Sequence, residues 1–339
     1  MTHRLLEYMK LVDKTHKGLG RLYSFTLMMN KARKVTIIIA IAGSGKTTAL
    51  TAASDVNPKG VISLDSVTRS GMKALESKMN GFEGTVIIND LGNIDTGYST
   101  KESVKVAVAL TYEHHLSKLN AMTNINIENF NGSFVTSAQP SIMQSIVNVS
   151  DWEAVIRDKT ARYYHLYRPI NPNESPLNIK ASWGKNFEAV KYKEIKCPEL
   201  TELNKVGLSQ WGLARTHIHI KDILRACAAL DNRLFTNKSD ILTALELTRP
   251  MRMENFIIDK QGFESKKEFL GDHLCMLTEF ASYPKVTKTI ISSDFFVGLR
   301  TVDRLLSQVR ELYMPDPLDK ENLLMTDISK RVLKECGYL

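Results

Sequence analysis

The sequence predicts an α/β protein with a doubly wound parallel sheet as its core, then a small all-helical domain, then a C-terminal helix-turn-helix unit. Three observations carry this. The apolar, β-branched run Val35 to Ile41 ends at a glycine-rich turn and reads as a buried parallel strand leading into a helix. Three further short apolar runs, Gly60 to Leu64, Thr85 to Ile88 and Ser133 to Ser137, alternate with helical spacing, the grammar of a sheet wound on both faces. Beyond about Pro169 the pattern changes, and from Leu208 to Arg252 the apolar positions recur at helical spacing.

In chain order, residues 1–34 carry eight Lys or Arg against Glu7 and Asp13, and read as a basic N-terminal arm able to reach a phosphate backbone, or as a solvated helical arm. Residues 35–170 hold the strands of the α/β core, and 171–207, with Pro172 and Pro176 as breakers, form a connector or insertion. Residues 208–262 have the spacing of an all-helical domain, with Ile220, Ile223, Leu224, Cys227 and Leu230 on one stripe. Residues 263–339 make the last unit.

Composition bounds the possibilities. At 339 residues and 43% hydrophobic content the chain can bury a large core without staples. Its four cysteines form no CxxC pair, so neither a zinc site nor a disulfide framework is expected, and a reducing, cytoplasmic setting follows. No run approaches the ~20 apolar residues a membrane helix needs, so no membrane partner is expected. The net charge of +8, with an isoelectric point near 9.1, gives a mild lift to polyanionic partners.

The chemistry concentrates at Ala40 to Thr47, A-I-A-G-S-G-K-T, which fits a phosphate-binding loop with Ala in place of the first Gly. Ala42, Gly43, Ser44, Gly45, Lys46, Thr47 and Thr48 are the nucleotide-binding candidates. Glycines tolerate the positive φ that turns successive N–H groups toward a phosphate, and the helix N-terminus adds partial positive charge. Lys46 is expected on the β- and γ-phosphates of ATP and the Thr47 hydroxyl on Mg²⁺. Thr85-Val-Ile-Ile-Asn89-Asp90 is the strand expected to deliver oxygens to metal and water. By one alignment Asn89 takes the metal side and Asp90 the base position, and a shift of one residue makes Asp90 the metal-side acid. Either way one carboxylate is missing, so hydrolysis is expected to be slow or switch-like.

Further segments, covering about residues 34 to 250, resemble the AAA+ ATPases. Tyr112 to Asn131 followed by Phe134 to Pro140 is similar to the helix, hairpin and sensor-1 strand of the MoxR and MCM groups, with Gln139 in the usual Asn place. Trp152 to Pro169 resembles the segment bearing the arginine finger, and the resemblance leaves Lys159, Arg157 and Arg162 as candidates for a catalytic cation acting in trans. Gly212 to Arg233 and Asn237 to Asp240 look like the AAA+ lid, implying Arg215 as a nucleotide-sensing arginine and an Asn237 to Asp240 helix cap. The stretch between Asp65 and Thr85 has little room for the pore-loop insertion of the MoxR and MCM motors. The 34 residues before the first strand likewise exclude a complete MCM helicase, with its amino-terminal domain.

At the C-terminus, Ile290 to Gly298 and Leu299 to Arg310 read as two helices across a glycine turn, with Pro315 to Thr326 as a wing. Arg300, Arg304 and Gln308, spaced by four, share the polar face of the second helix and are the DNA-contact candidates. The unit resembles the winged helices of MCM, Orc/Cdc6 and RuvB proteins, which also implies a protein-contact role as an alternative. The expectation is an AAA+ ATPase forming a homo-oligomeric ring or hexamer and working on DNA. The rivals are a MoxR-like protein-remodelling chaperone and a weakly hydrolysing ATP-dependent assembly switch.

Overall fold

The computed structural model describes residues 2–40, 43–91, 97–119, 124–147, 152, 156–165, 175–252, 254, 286–295, 298–308, 313–327 and 329–330. Five parallel strands form its central sheet: β1 (Val35–Ile39), β2 (Val61–Leu64), β3 (Thr85–Ile88), β6 (Ser133–Ala138) and β7 (Thr160–Tyr164), in the order β2-β3-β6-β1-β7. A short antiparallel hairpin, β4 (Leu116–Leu119) and β5 (Asn124–Ile127), interrupts the chain before β6.

Alternation along each strand sends side chains into two cores. Val35, Ile37, Ile39, Val86, Ile88 and Phe134 join one apolar cluster with α5 (Gly97–Glu113) and α6 (Pro140–Val147). Ile38, Ile87, Val135, Ala161 and Tyr163 join the other, with α1 (Arg4–Thr15), α2 (Gly20–Lys31), α3 (Lys46–Ser54), α7 (Pro198–Leu208), α8 (Leu213–Leu230) and α9 (Lys238–Leu247). Helices thus cover both faces of a parallel sheet, as in doubly wound folds. The short α4 (Glu76–Met79) packs beside β5.

One organisational expectation is overturned. Residues 1–34 are not an arm, because every residue of α2 except Arg21 is buried. Apolar groups lie all round that helix, so it sits inside the second core and packs on α1, α3 and α8. The apolar faces of the helices from 198 to 247 join the same cluster as α1, α2 and the sheet. The expected cap at Asn237 is present. Its side chain accepts from Ser239 N at 2.9 Å, while Asp240 accepts from Asn237 N at 2.7 Å.

β7 is an edge strand, and a side chain covers its open side. The Gln210 amide accepts from Arg162 N at 2.9 Å and donates to Arg162 O at 2.6 Å, and Trp211 Nε1 donates to Thr160 O at 2.7 Å. These bonds occupy the outward main-chain groups of Arg162 and the Thr160 carbonyl in the middle of the edge. Farther on, α10 (Lys288–Phe295) and α11 (Leu299–Gln308) pack together, and the antiparallel pair β8 (Tyr313–Pro315) and β9 (Leu323–Met325) follows.

Candidate phosphate site and the opposite edge

Strand order decides which loops meet. β6 lies between β1 and β3, so the chain segments leaving β1, β6 and β3 emerge side by side at the carboxyl edge. Those segments carry Gly43 to Thr48, Gln139 and Asn89-Asp90. Gly43 and Gly45 have φ of 75° and 76°, left-handed values open to glycine at no cost, and Gly45 is the N-cap of α3 with no side-chain cap on that helix end. Ala42 lies outside the described residues.

Lys46 opens α3 and is 6% exposed, with Nζ 3.1 Å from Asp90 Oδ2. Thr47 is exposed beside it, Thr48 is half-buried and the Ser44 hydroxyl is buried without a hydrogen-bond partner. Asn89 N donates to Leu64 O at 2.8 Å, and its Nδ2 donates to Asp65 Oδ1 at 2.7 Å. The Thr136 hydroxyl donates to Asn89 O at 3.2 Å. Gln139 is half-buried at the end of β6, and its carbonyl caps the first turn of α6 by accepting from Met143 N at 3.0 Å.

Two members of this edge were missed from sequence. Asp65, one residue past β2, brings a second carboxylate next to the Asn89-Asp90 pair; the signal available was its place at a strand end, the same signal that singled out Asp90. His165, one residue past β7, is 4% exposed with Nε2 3.1 Å from Ser44 O, so it clasps the loop from the far side of β1. Nothing in the spacing of the chain marks it.

The arrangement suits a polyphosphate. Two left-handed glycines, an uncapped helix N-terminus, an orphaned buried hydroxyl and one ammonium converge there. The Thr47 hydroxyl with the Asp90 carboxylate is an oxygen set of the kind Mg²⁺ takes, completing its shell with water and phosphate. Among the described residues there is no cluster of three or more His, Cys, Asp or Glu able to hold a metal alone.

The remaining cations are elsewhere. β7 pairs β1 with Thr160 opposite Val35, so Arg157, Asp158 and Lys159, in the 3-10 turn before β7, lie at the amino edge. That edge is separated from the phosphate loop by the five residues of β1, about 15 Å. Arg215 is there too. Gly212 N donates to Asp158 Oδ1 at 2.8 Å, and the Arg215 guanidinium lies 5.0 Å from the Tyr112 ring centre. Lys159 Nζ, 5.7 Å from the same ring, pairs with Glu113 at 3.6 Å, and Lys34 Nζ approaches the ring at 6.0 Å while pairing with Asp222 at 2.6 Å. Burial first, against the opposing pull of Arg215, pushes the Tyr112 phenol up to about 12. Its hydroxyl meets His219 Nε2 at 2.9 Å, which also contacts Asp158 O at 3.0 Å. Burial, with Lys34 nearby, drives that imidazole down to about 3, so it is neutral.

Two site expectations therefore fail. Arg215 does not reach the nucleotide loop of its own chain, because α8 begins at the wrong edge of the sheet. Arg162 is no finger either, being 0% exposed in mid-strand opposite Ile37. Its Nε and Nη2 grip Glu254 at 2.6 and 2.7 Å, Nη1 donates to Arg157 O and to both oxygens of Thr160, and Nη2 also donates to Gln210 O. All five N–H donors are spent inside the protein.

On α11, Arg300 and Arg304 are exposed, while the Gln308 side chain lies outside the described residues. No protein-family model matches the chain, and no curated protein matches it. No described helix is long and apolar enough to cross a membrane.

Proposed function

We propose that this chain is a P-loop nucleoside triphosphatase of the AAA+ type that hydrolyses ATP with Mg²⁺ and couples the cycle to work on DNA. The supporting observation is the convergence at one sheet edge of the glycine loop, Lys46 at 3.1 Å from Asp90, and the Asn89–Asp65 pair. In this reading the N–H groups from Gly43 to Thr47 and the α3 N-terminus hold the β-phosphate, and Lys46 neutralises the β- and γ-oxygens. Thr47 and Asp90 would hold Mg²⁺, whose charge offsets that building on the phosphate oxygens. Asp65 and Asn89, joined by their hydrogen bond, orient the attacking water, and the Gln139 amide supports it from β6.

With Arg162 and Arg215 removed from the list of sensors, the cation completing the site comes from Lys159 or Arg157 of a neighbouring copy in a homo-oligomeric ring. The two helices and β-hairpin of residues 288–325 act as a winged helix, with Arg300 and Arg304 on DNA phosphates. The test is ATP hydrolysis by purified protein with and without single- and double-stranded DNA, at low and moderate salt, beside Lys46→Ala. DNA-stimulated hydrolysis lost in the variant is the expected result. A variant as active as the parent removes the phosphate-loop reading, and hydrolysis indifferent to DNA moves the work to a protein partner.

One observation favours a second reading, an ATP-dependent assembly switch. The residue next to Asp90 at the strand end is an amide, and Asn89 spends its donor on Asp65. ATP-dependent oligomerisation without multiple turnover distinguishes this reading from the first.

A further inference from the structure

A separate cavity of about 360 Å³ opens at the amino edge, below the C-terminus of α2 and far from the phosphate loop. Its walls come from Lys31 and Arg33, from Lys59 and Glu83 in the turns before β2 and β3, and from the segment Trp183 to Glu188. Four cations face two acids. Lys59 is paired with Glu83 at 2.8 Å and Arg33 with Glu188 at 2.6 Å. Lys31 and Lys185 have no acidic partner among the described residues.

Lys31 is the unusual member. It is 4% exposed, and its ammonium lies 4.6 Å over the Trp183 ring, a weak substitute for water or an anion. Burial, with the Arg33 charge second, lowers its pKa to about 8. Such a group is in want of a negative charge.

The backbone around it is built to hold these side chains in place. Arg33 stands in the left-handed region, φ 56°, at the α2 C-terminus, where glycine is the usual occupant. Arg33 N bonds to Asn30 O and Lys34 N to Met29 O, closing the turn that presents the guanidinium. Gly184, φ 69°, passes so close to α8 that a Cβ would sit 2.1 Å from Ala229 O, and this close passage puts Trp183 over Lys31.

We propose that this cavity binds a phosphomonoester, with Lys31 and Lys185 neutralising the terminal phosphate and Trp183 forming the apolar wall beside it. Two unpaired cations match the charge of about −2 on a terminal phosphate near neutral pH, whereas a backbone diester carries only one. The volume lies within the range of ligand pockets, about 300–1,000 Å³. The phosphate can come from a small phosphorylated molecule or from the 5′-phosphorylated end of a nucleic-acid strand.

The test is calorimetric titration of inorganic pyrophosphate into the full chain carrying Lys46→Ala, which disables the phosphate loop, and into the same chain with Lys31→Met added. One saturable site weakened about 10- to 100-fold by Lys31→Met is expected, the size of a lost charge-assisted contact. Absent binding, or binding unchanged by Lys31→Met, overturns the proposal. The Lys31→Met chain should melt no lower than its parent, since the substitution removes a buried charge and keeps the volume. If it melts lower, Lys185→Met at the rim takes its place, with the same expected loss and the same overturning result. Comparing 5′-phosphorylated with 5′-hydroxyl oligothymidylate then separates the sources: preference for the phosphorylated strand marks a nucleic-acid end, and equal binding marks a small molecule. The outcome is independent of the ATPase reading.

Discussion

Replacing Arg162 tests whether this residue holds β7 in place or serves chemistry. In Arg162→Met the Glu254 carboxylate, only 1% exposed, keeps among the described residues one weak neighbour, the Tyr164 hydroxyl at 3.3 Å. Arg157 O, Thr160 O and Gln210 O each lose a donor. Breaking one side of a buried ion pair costs about 3–5 kcal/mol. Glu254→Gln should cost a similar amount by stranding the guanidinium, whereas the pair Arg162→Met with Glu254→Leu should cost well under the sum, because no lone charge remains. Urea unfolding of the three variants and the parent measures this. With a slope of about 3 kcal/mol per M, each single variant should unfold ~1 M earlier or more. An Arg162→Met protein with the parental midpoint but no ATP hydrolysis would refute the argument and return Arg162 to the list of catalytic cations.

His219 should make stability depend on acidity. Its folded pKa, about 3, lies below the ordinary value of 6.5, so its contribution is complete above pH 6.5 and drains away as pH falls toward 3, by up to ~1.4 kcal/mol per pH unit. His219→Gln removes that slope, and urea midpoints measured from pH 7 to 4 should diverge between variant and parent; parallel curves contradict the assignment. Arg215→Ala should leave ATP affinity unchanged within a factor of two or so while costing about 1 kcal/mol of stability through the lost Tyr112 stack, and an equilibrium nucleotide titration decides. Asp65→Asn should slow hydrolysis by ~10²-fold with nucleotide affinity preserved, the pattern of a group acting on the water; a raised Kd with unchanged turnover would show that it acts in binding instead. Gly45→Ala should lower stability by about 1 kcal/mol in a thermal melt, because its φ of 76° strains any side chain.

What was legible in the sequence is local. The glycine-rich motif is eight consecutive residues between a β-branched run and a helix start, and the structure keeps that order from β1 through Gly43 and Gly45 to α3. The four strand segments up to Ser133 and the Asn237 cap were readable for the same reason, since period-two burial and caps act within a few residues. The basic character of residues 1–34 misled, because counting charges says nothing of where the apolar groups between them go. Leu22, Phe25 and Met29 are buried in α2, and that burial outweighs the exposed charge around it.

The sequence by itself determined that a glycine-rich strand-to-helix loop and an acid-ended strand exist. Only the tertiary structure decided which residues face them. Asp65 and His165 join the site, Arg162 and Arg215 leave it, and Arg157 and Lys159 lie at the opposite edge of their own chain, because of the order β2-β3-β6-β1-β7 and the pairing of Thr160 with Val35. Strand order and register arise from packing between segments more than a hundred residues apart, so no local pattern of residues contains them.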